Sequence, residues 1–174
     1  MTIRPASPQD ASALARLHID SWRAAYCRFV PADYLARLDH QKRTKRFVEI
    51  FTAGPDETYV IEDGNDIPGF LTIGQCRDVD MDPLETGEIW GIYLSPRFWR
   101  KGIGTLLCRY GEEKLFSRGC KQITLWVFEA NADARSFYEA MGFKLEGASQ
   151  TLNVGIPLQA IRYIKTKKEL PENG

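Results

Sequence analysis

The chain has 174 residues, of which 44% are apolar and 26% are charged, a composition typical of a globular protein with a core rather than of a disordered chain. Its 23 basic residues balance 23 acidic ones, so no long-range electrostatic field favours nucleic acid as a partner. The sequence contains neither an apolar leader nor a run of about 18 apolar residues, so we expect a cytoplasmic protein with no membrane partner.

The N-terminal third is predicted to form a short strand and three helices. Ser7, the proline after it and Asp10 predict a helix start, because serine caps the backbone, proline suits the first helical position and an acidic side chain completes the capping box. We expect this helix to end near Tyr26. A second helix is predicted to begin at residues 31–35, and a third to cover residues 41–51.

A β-hairpin and an acidic loop are predicted next. Residues 58–61 and 68–73 are rich in β-branched and aromatic side chains, and the Asp-Gly-Asn-Asp segment at 63–66 favours a tight turn between them. The loop that follows contains Asp78, Asp80, Asp82 and Glu85. It either attracts a cationic amine or is simply solvated.

The middle of the chain predicts a strand, a glycine-bearing loop and a helix start. Residues 88–94 are dense in β-branched and aromatic side chains, and the proline after Ser95 ends the strand because proline cannot donate to a sheet ladder. Gly102 and Gly104 stand where an apolar helical stripe begins at Ile103. A helix start exposes unpaired N–H groups, and glycine lets the backbone approach an anion closely, so we expect a phosphate here unless the glycines form only a turn. The P-loop spacing and the third glycine of a dinucleotide fingerprint are absent, so neither a nucleoside triphosphate nor NAD is favoured.

A second strand and helix follow, and the helix carries a tyrosine. Residues 122–128 predict the strand, and Asn131 is a good N-cap for the helix. Tyr138 lies on the apolar stripe of this helix, and Gly142 ends it.

These two segments together resemble the GNAT superfamily of N-acetyltransferases, which move an acetyl group from acetyl-CoA to an amine. The first resembles the family's Gln/Arg-x-x-Gly-x-Gly/Ala signature, with Trp99 where the family most often has Gln or Arg. The second carries the complete Asn-x-x-Ala-x-x-Phe-Tyr-x-x-x-Gly-Phe pattern. Its members are Asn131, Ala134, Phe137, Tyr138, Gly142 and Phe143. The resemblance covers nearly the whole chain in element order, although only residues 88–143 carry specific motifs.

The predicted fold is α/β with a mixed sheet, since helices interleave with strands and hairpins occur on both sides of the motifs. The last two strands are expected near residues 144–152 and 158–165. The resemblance implies a largely antiparallel central sheet with helices on both faces and a splay between the fourth and fifth strands. We expect one N-acetyltransferase domain at residues 1–168 and a short polar tail at 169–174.

The resemblance also implies where acetyl-CoA binds. Backbone N–H groups from Arg100 to Thr105 are expected to hold the pyrophosphate, and the free edge of the fourth strand the pantetheine arm. The oxyanion of the reaction is expected on an N–H near Tyr93 or Leu94. The expected cofactor-binding residues are Ile92, Tyr93, Leu94, Arg100, Lys101, Gly102, Ile103, Gly104, Thr105, Asn131 and Tyr138.

Two residues are expected to move protons. Acyl transfer to an amine needs a neutral amine, a stabilised oxyanion and a proton for the leaving thiolate. Glu88 aligns with the general base of part of the family, acting directly or through water; the alternative is a solvent-facing carboxylate at a strand start. Tyr138 is the expected acid because the pKa of a phenol, near 10, is close to that of a thiol, near 8.5. Its alternative role is that of a core aromatic.

The acceptor pocket is expected in the parts of the family that vary most, which are the first two helices and the loop before the fourth strand. Ser21, Trp22, Tyr26 and Tyr34 are the candidates, although an aromatic stripe on a helix also forms cores. His18 is expected to be a packed helix histidine. The four cysteines lack Cys-x-x-Cys spacing, so we expect core residues and no metal site.

The leading interpretation is an acetyl-CoA-dependent N-acetyltransferase that acts on a primary amine of a small molecule by direct attack in a ternary complex. A peptide or protein amine is the nearest alternative. A noncatalytic acyl-CoA-binding module and a purely structural domain are alternatives of different classes. A homodimer is compatible with the sequence.

Overall fold

The computed structural model describes residues 1–53 and 57–167, so the predicted tail at 169–174 lies outside the described residues. The described strands are β1 (Thr2–Pro5), β2 (Glu57–Asp63), β3 (Asp66–Gln75), β4 (Thr86–Leu94), β5 (Gln122–Phe128), β6 (Lys144–Asn153) and β7 (Pro157–Thr166). The described helices are α1 (Ala11–Tyr26), α2 (Ala32–Ala36), α3 (His40–Ala53), α4 (Ile103–Ser117) and α5 (Ala132–Ala140), with short 3-10 turns at Pro8–Asp10 and Pro96–Phe98. Within these ranges no helix has the length and apolar character needed to cross a membrane.

The strands form one mixed sheet in the order β1-β2-β3-β4-β5-β7-β6. Every neighbouring pair is antiparallel except β4 and β5, which run parallel. A parallel pair needs a crossover connection, and α4 provides it. The predicted mixed, largely antiparallel sheet is therefore confirmed.

Helices cover both faces of the sheet, as predicted. Successive side chains on a strand point to opposite faces, and the hairpin of β2 and β3 follows that rule. Val60 and Phe70 pack in the cluster with α1 and α3. Ile61 and Leu71, their chain neighbours, pack in the larger cluster with α4 and α5. The sheet thus separates two cores.

The first helix starts later than the sequence predicts, because Pro8–Asp10 forms a 3-10 turn and α1 begins at Ala11. Asp10 closes this turn as expected, since its Oδ2 accepts from the Ser7 backbone N–H at 2.8 Å. Arg4 on β1 also donates to Asp10, through two bonds of 2.8 and 2.9 Å. These hydrogen bonds, those from Arg4 most of all, lower the pKa of the Asp10 carboxyl to about 2.

β4 and β5 separate toward their C-terminal ends. They pair only between Thr86 and Ile89 on β4 and Gln122 and Leu125 on β5, although β4 continues to Leu94. The register with β3 shifts in the same region, since Thr72 pairs with Gly91 and Ile73 with Ile89, which leaves Trp90 as a bulge. The predicted splay between the fourth and fifth strands is present, and both α4 and α5 begin beside its open end.

Candidate active site

The loop after β4 leads into the open N-terminal end of α4. Gly102 is the N-cap of α4 and has φ of 79°, a left-handed conformation that glycine adopts without strain. A Cβ added at Gly102 would meet no atom within 4 Å, so the space above this residue is open. The first bond of α4 runs from the Leu106 N–H to the Gly102 carbonyl, so the N–H groups of residues 103–105 precede the helical ladder. This arrangement suits an anion.

Gly104 joins that helix start to the sheet and to α5. An added Cβ there would lie 3.4 Å from Leu94 and 3.5 Å from Phe137. Leu94 is the last residue of β4, and Phe137 precedes Tyr138 on α5. The helix start, the end of β4 and the tyrosine-bearing helix therefore meet at the open end of the splay.

The edge of β4 that faces the splay presents the polar backbone of alternate residues. Ser95 N–H donates to the Pro68 carbonyl at 2.8 Å, and Tyr93 pairs with Phe70 two residues earlier. Because an antiparallel ladder alternates, Tyr93 turns its backbone toward β3 while Ile92 and Leu94 turn theirs toward the gap. This corrects the expectation that the Tyr93 N–H faces a reacting group.

Trp99 fixes the end of this edge. Its indole N–H donates to the Leu94 carbonyl at 3.1 Å. Beyond the bulge at Trp90, the backbone groups of β4 on the gap side are therefore the N–H and C=O of Ile92 and the N–H of Leu94.

Three phenols approach one another beside the gap. Tyr138 on α5 packs against Phe143 at 5.9 Å between ring centroids and lies within electrostatic reach of Tyr26 on α1 and Tyr93 on β4. Burial raises the pKa of the Tyr138 phenol above its ordinary value, so Tyr138 is protonated at neutral pH. The same burial would also raise the pKa of the thiol that forms beside it. Burial by itself therefore does not widen the pKa difference between the phenol, which donates the proton, and the thiolate, which accepts it.

Asn131 caps the helix that carries Tyr138. Its Oδ1 accepts from the Ala134 N–H at 3.2 Å, as the sequence predicts. The cap fixes the direction in which α5 leaves the end of β5.

Glu88 is buried, with 1% of its surface exposed, so the alternative of a solvent-facing carboxylate is wrong. Arg77 binds both of its oxygens. Oε2 accepts from the Arg77 backbone N–H at 3.0 Å and from Nε at 3.1 Å, while Oε1 accepts from Nη2 at 2.5 Å. The guanidinium also stacks on Trp90, 3.9 Å from the ring centroid. A carboxylate accepts about four hydrogen bonds, so one position on Oε1 can still serve an amine or a water.

Aromatic side chains of α1 line the other side of the gap. Trp22 packs edge-on against Tyr26 at 4.8 Å, and both pack against Phe128 at the end of β5. Ser21 is buried on the same helix. Tyr34 lies farther along, against Gly155 in the turn between β6 and β7. Of the four acceptor candidates, Tyr26 interacts electrostatically with Tyr138, and Trp22 packs against Tyr26.

Ion pairs hold part of the acidic loop, while Asp80 and Asp82 remain exposed to solvent. Arg162 on β7 is buried and pairs with Asp78, Asp80 and Glu146. The Trp126 indole N–H also donates to both oxygens of Asp78. Among the described residues, no group of three His, Cys, Asp or Glu side chains is placed to bind a metal ion.

The comparison with known families matches this architecture. The model of the acetyltransferase (GNAT) family matches residues 14–143. The chain belongs to the GNAT acetyltransferase family. It is a GNAT-type N-acyltransferase, in keeping with the resemblance of its two motifs.

Individual relatives agree with that assignment. The uncharacterized N-acetyltransferase YuaI of Bacillus subtilis is 30% identical over 145 residues, which are 80% of this chain and 78% of YuaI. The spermidine N(1)-acetyltransferase of Thermoplasma acidophilum is 24% identical over 83% of this chain and 88% of its own. YncA of Salmonella typhimurium, solved with its cofactor acetyl-CoA, superposes with a TM-score of 0.71 at 19% identity, over 100% of this chain and 99% of YncA. That structure shares the fold.

Two features of this GNAT chain lie outside the sequence prediction. Arg77 carries no motif, and nothing in its neighbourhood predicts that it covers Glu88. Arg162 had a usable signal, because a charged residue between apolar neighbours in a strand indicates a buried ion pair. Its carboxylate partners lie on other elements and could not be assigned from spacing.

Proposed function

We propose that this chain transfers the acetyl group of acetyl-CoA to a primary amine of a small molecule, by direct attack within a ternary complex. One observation carries the proposal. The open start of α4 lies against the end of β4, where the strand edge toward β5 is unpaired. An anionic diphosphate at the helix start and an extended arm along the strand edge would thus belong to one ligand.

The residues at the helix start fit a diphosphate. The N–H groups of residues 103–105 supply donors, and the left-handed Gly102 leaves open space in front of them. Arg100 and Lys101 are exposed on the same loop and add positive charge. The amide groups of the pantetheine arm would pair with the free backbone of Ile92 and Leu94.

Ile92 is our candidate for the oxyanion donor. It lies four positions after Glu88, at most about 13 Å along a strand, whereas Leu94 lies up to about 20 Å away. The reacting carbonyl has to lie near both the base and the acid. The Ile92 N–H meets that requirement better than the Leu94 N–H does. The Leu94 N–H would then bind the pantetheine arm.

Glu88 and Tyr138 are our candidates for the proton transfers. An alkyl ammonium with a pKa near 10.4 costs about 4.6 kcal/mol to deprotonate at pH 7, and the free position on Glu88 Oε1 would accept that proton directly or through water. The amine nitrogen then forms a bond to the carbonyl carbon, the carbon–sulfur bond breaks, and Tyr138 gives its proton to the sulfur. The nitrogen loses its second proton as the amide forms, and that proton returns to the Tyr138 phenolate directly or through water.

A small acceptor is supported by the aromatic enclosure at Trp22, Tyr26 and Phe128. A spermidine N(1)-acetyltransferase is also among the relatives, and spermidine is a small amine. A cytoplasmic location and a homodimer remain predictions.

Thiol release from acetyl-CoA with a panel of small amines and short peptides tests the proposal. We expect turnover with at least one small amine. Turnover restricted to peptides would favour the peptide alternative. CoA binding without turnover of any amine would favour the noncatalytic module. Absence of CoA binding would refute the proposal.

A further inference from the structure

Arg162 on β7 is a buried cation that is surrounded by carboxylates. It is 2% exposed. Nη1 donates to Asp78 Oδ2 at 3.1 Å and to Asp80 Oδ1 at 2.8 Å, while Nη2 donates to Asp80 Oδ2 at 2.7 Å. Nε donates to Glu146 Oε2 at 3.0 Å. A buried charge is costly unless it is paired and hydrogen-bonded, so the network holds its members in place.

Asp78 and Asp80 both lie on the loop between β3 and β4, and they are anchored differently. Both oxygens of Asp78 also accept from the Trp126 indole N–H, at 3.2 and 3.1 Å. Trp126 lies on β5 and pairs with Arg162 across the two strands. The Asp78 side chain is 17% exposed and that of Asp80 is 58% exposed. Asp78 therefore ties the loop to β5 and β7, whereas Asp80 covers the guanidinium from the solvent side.

The residue before Asp78 is Arg77, which binds Glu88. The Arg77 backbone N–H donates to Glu88 Oε2 at 3.0 Å, and the guanidinium binds both carboxylate oxygens. The Arg77 side chain is 56% exposed, and an ion pair with a half-exposed partner contributes little order by itself. The direction of the backbone N–H is set by the loop. The Glu88 carboxylate thus takes part of its orientation from the loop backbone.

That backbone lies between two anchored residues. On the strand side of Arg77, the Cys76 N–H donates to the Thr86 carbonyl at 3.2 Å, which continues the pairing of β3 with β4. On the loop side, the side chain of Asp78 is held by Arg162 and Trp126. A peptide between two fixed points has little freedom to rotate. Loss of the Asp78 anchor would let the Arg77 N–H turn away from Glu88.

We infer that Asp78 is a positioning residue for Glu88. Arg162 and Trp126 hold Asp78 in place. Asp78 in turn fixes the backbone of Arg77, which orients the Glu88 carboxylate toward the acceptor amine. This inference rests on the proposed function, in which Glu88 accepts the amine proton, and it adds a residue that touches neither the amine nor CoA.

Asp78→Ala and Asp80→Ala form a matched pair of variants in the full-length chain. Each removes one carboxylate from Arg162, but Asp78→Ala also releases the loop beside Arg77. Thiol release from acetyl-CoA gives kcat, with the small amine of the panel above that the wild-type protein turns over fastest. We expect Asp78→Ala to lower kcat at least about tenfold and to change the Kd of CoA less than about twofold, because only the base is misplaced. We expect Asp80→Ala to change kcat less than about twofold. Equal losses in the two variants would overturn the inference.

A double-mutant cycle separates positioning from general destabilisation. In a Glu88→Gln protein the base is already absent, so adding Asp78→Ala should lower kcat by less than a further factor of about two. A structural role would lower kcat by the same factor in both backgrounds, and that result would overturn the inference.

A milder variant covers the case in which Asp78→Ala does not fold. Asp78→Asn keeps an oxygen that can accept from Trp126 and loses the charge that pairs with Arg162. It then takes the place of Asp78→Ala in both tests, and we expect it to lower kcat at least about threefold. An unchanged kcat would overturn the inference.

The Glu88→Gln variant also separates this inference from the function on which it rests. If Glu88→Gln leaves kcat unchanged, the base of the proposed function fails and the inference fails with it. If Glu88→Gln lowers kcat while Asp78→Ala behaves like Asp80→Ala, the inference fails and the proposed function stands.

Discussion

Replacing Gly102 by alanine tests the anion site at the start of α4. Gly102 has φ of 79°, and an added methyl group would meet no atom within 4 Å, so the substitution introduces backbone strain without a clash. A left-handed alanine costs about 1–2 kcal/mol. The loop can relieve this strain by rotating the peptide at residue 102, which moves the N–H groups that precede the helical ladder.

Gly119 provides a matched control at the other end of the same helix. It has φ of 94°, and an added methyl group there also meets open space. Gly102→Ala and Gly119→Ala should therefore lower the free energy of unfolding by a similar amount, about 1–2 kcal/mol.

Only Gly102→Ala is expected to weaken CoA binding. Losing one charge-assisted hydrogen bond to the diphosphate costs about 1.5–3 kcal/mol, which corresponds to about a ten- to hundredfold rise in Kd. Isothermal titration calorimetry measures the Kd of CoA for the wild-type protein and for both variants. An unchanged Kd in folded Gly102→Ala, or an equal rise in Gly119→Ala, would refute the reasoning.

Three further predictions concern the proton transfers and the first turn. Tyr138→Phe should lower kcat about 10- to 100-fold with little change in the Kd of CoA, because only the proton donor is lost; Tyr110→Phe is the control, and an unchanged kcat would exclude Tyr138 as the acid. Glu88→Gln should lower kcat by at least about 100-fold with little change in the Kd of CoA, because the group that removes the amine proton is lost; an unchanged kcat would exclude Glu88 as the base. Asp10 has a lowered pKa, so it stabilises the fold by about 2 kcal/mol above pH 4, and this is lost as pH falls toward 2. Asp10→Asn should reduce the difference in thermal stability between pH 6 and pH 3, and an unaltered difference would contradict the role of the Arg4 pair.

The sequence predicts the parts of the site that depend on local backbone chemistry. Gly102 is identifiable because a left-handed helix cap needs glycine, and Asn131 because an amide side chain caps a helix. The splay between β4 and β5 was implied by the family resemblance rather than by any residue pattern. Both the caps and the splay are present in the structure.

The sequence could not predict features that depend on register or on distant partners. Which N–H groups face the gap depends on the bulge at Trp90 and on the bond from Ser95 to Pro68, and neither leaves a pattern in the sequence. The ion pair of Glu88 with Arg77 joins a strand to a loop 11 residues away. Tertiary packing decides each of these.

A crystal structure of the protein with acetyl-CoA tests the central claim most directly. We predict diphosphate oxygens within hydrogen-bond distance of the N–H groups of residues 103–105, with the acetyl carbonyl on the Ile92 N–H between β4 and β5. A diphosphate bound elsewhere, or a gap still closed by protein side chains in the presence of the ligand, would contradict the account.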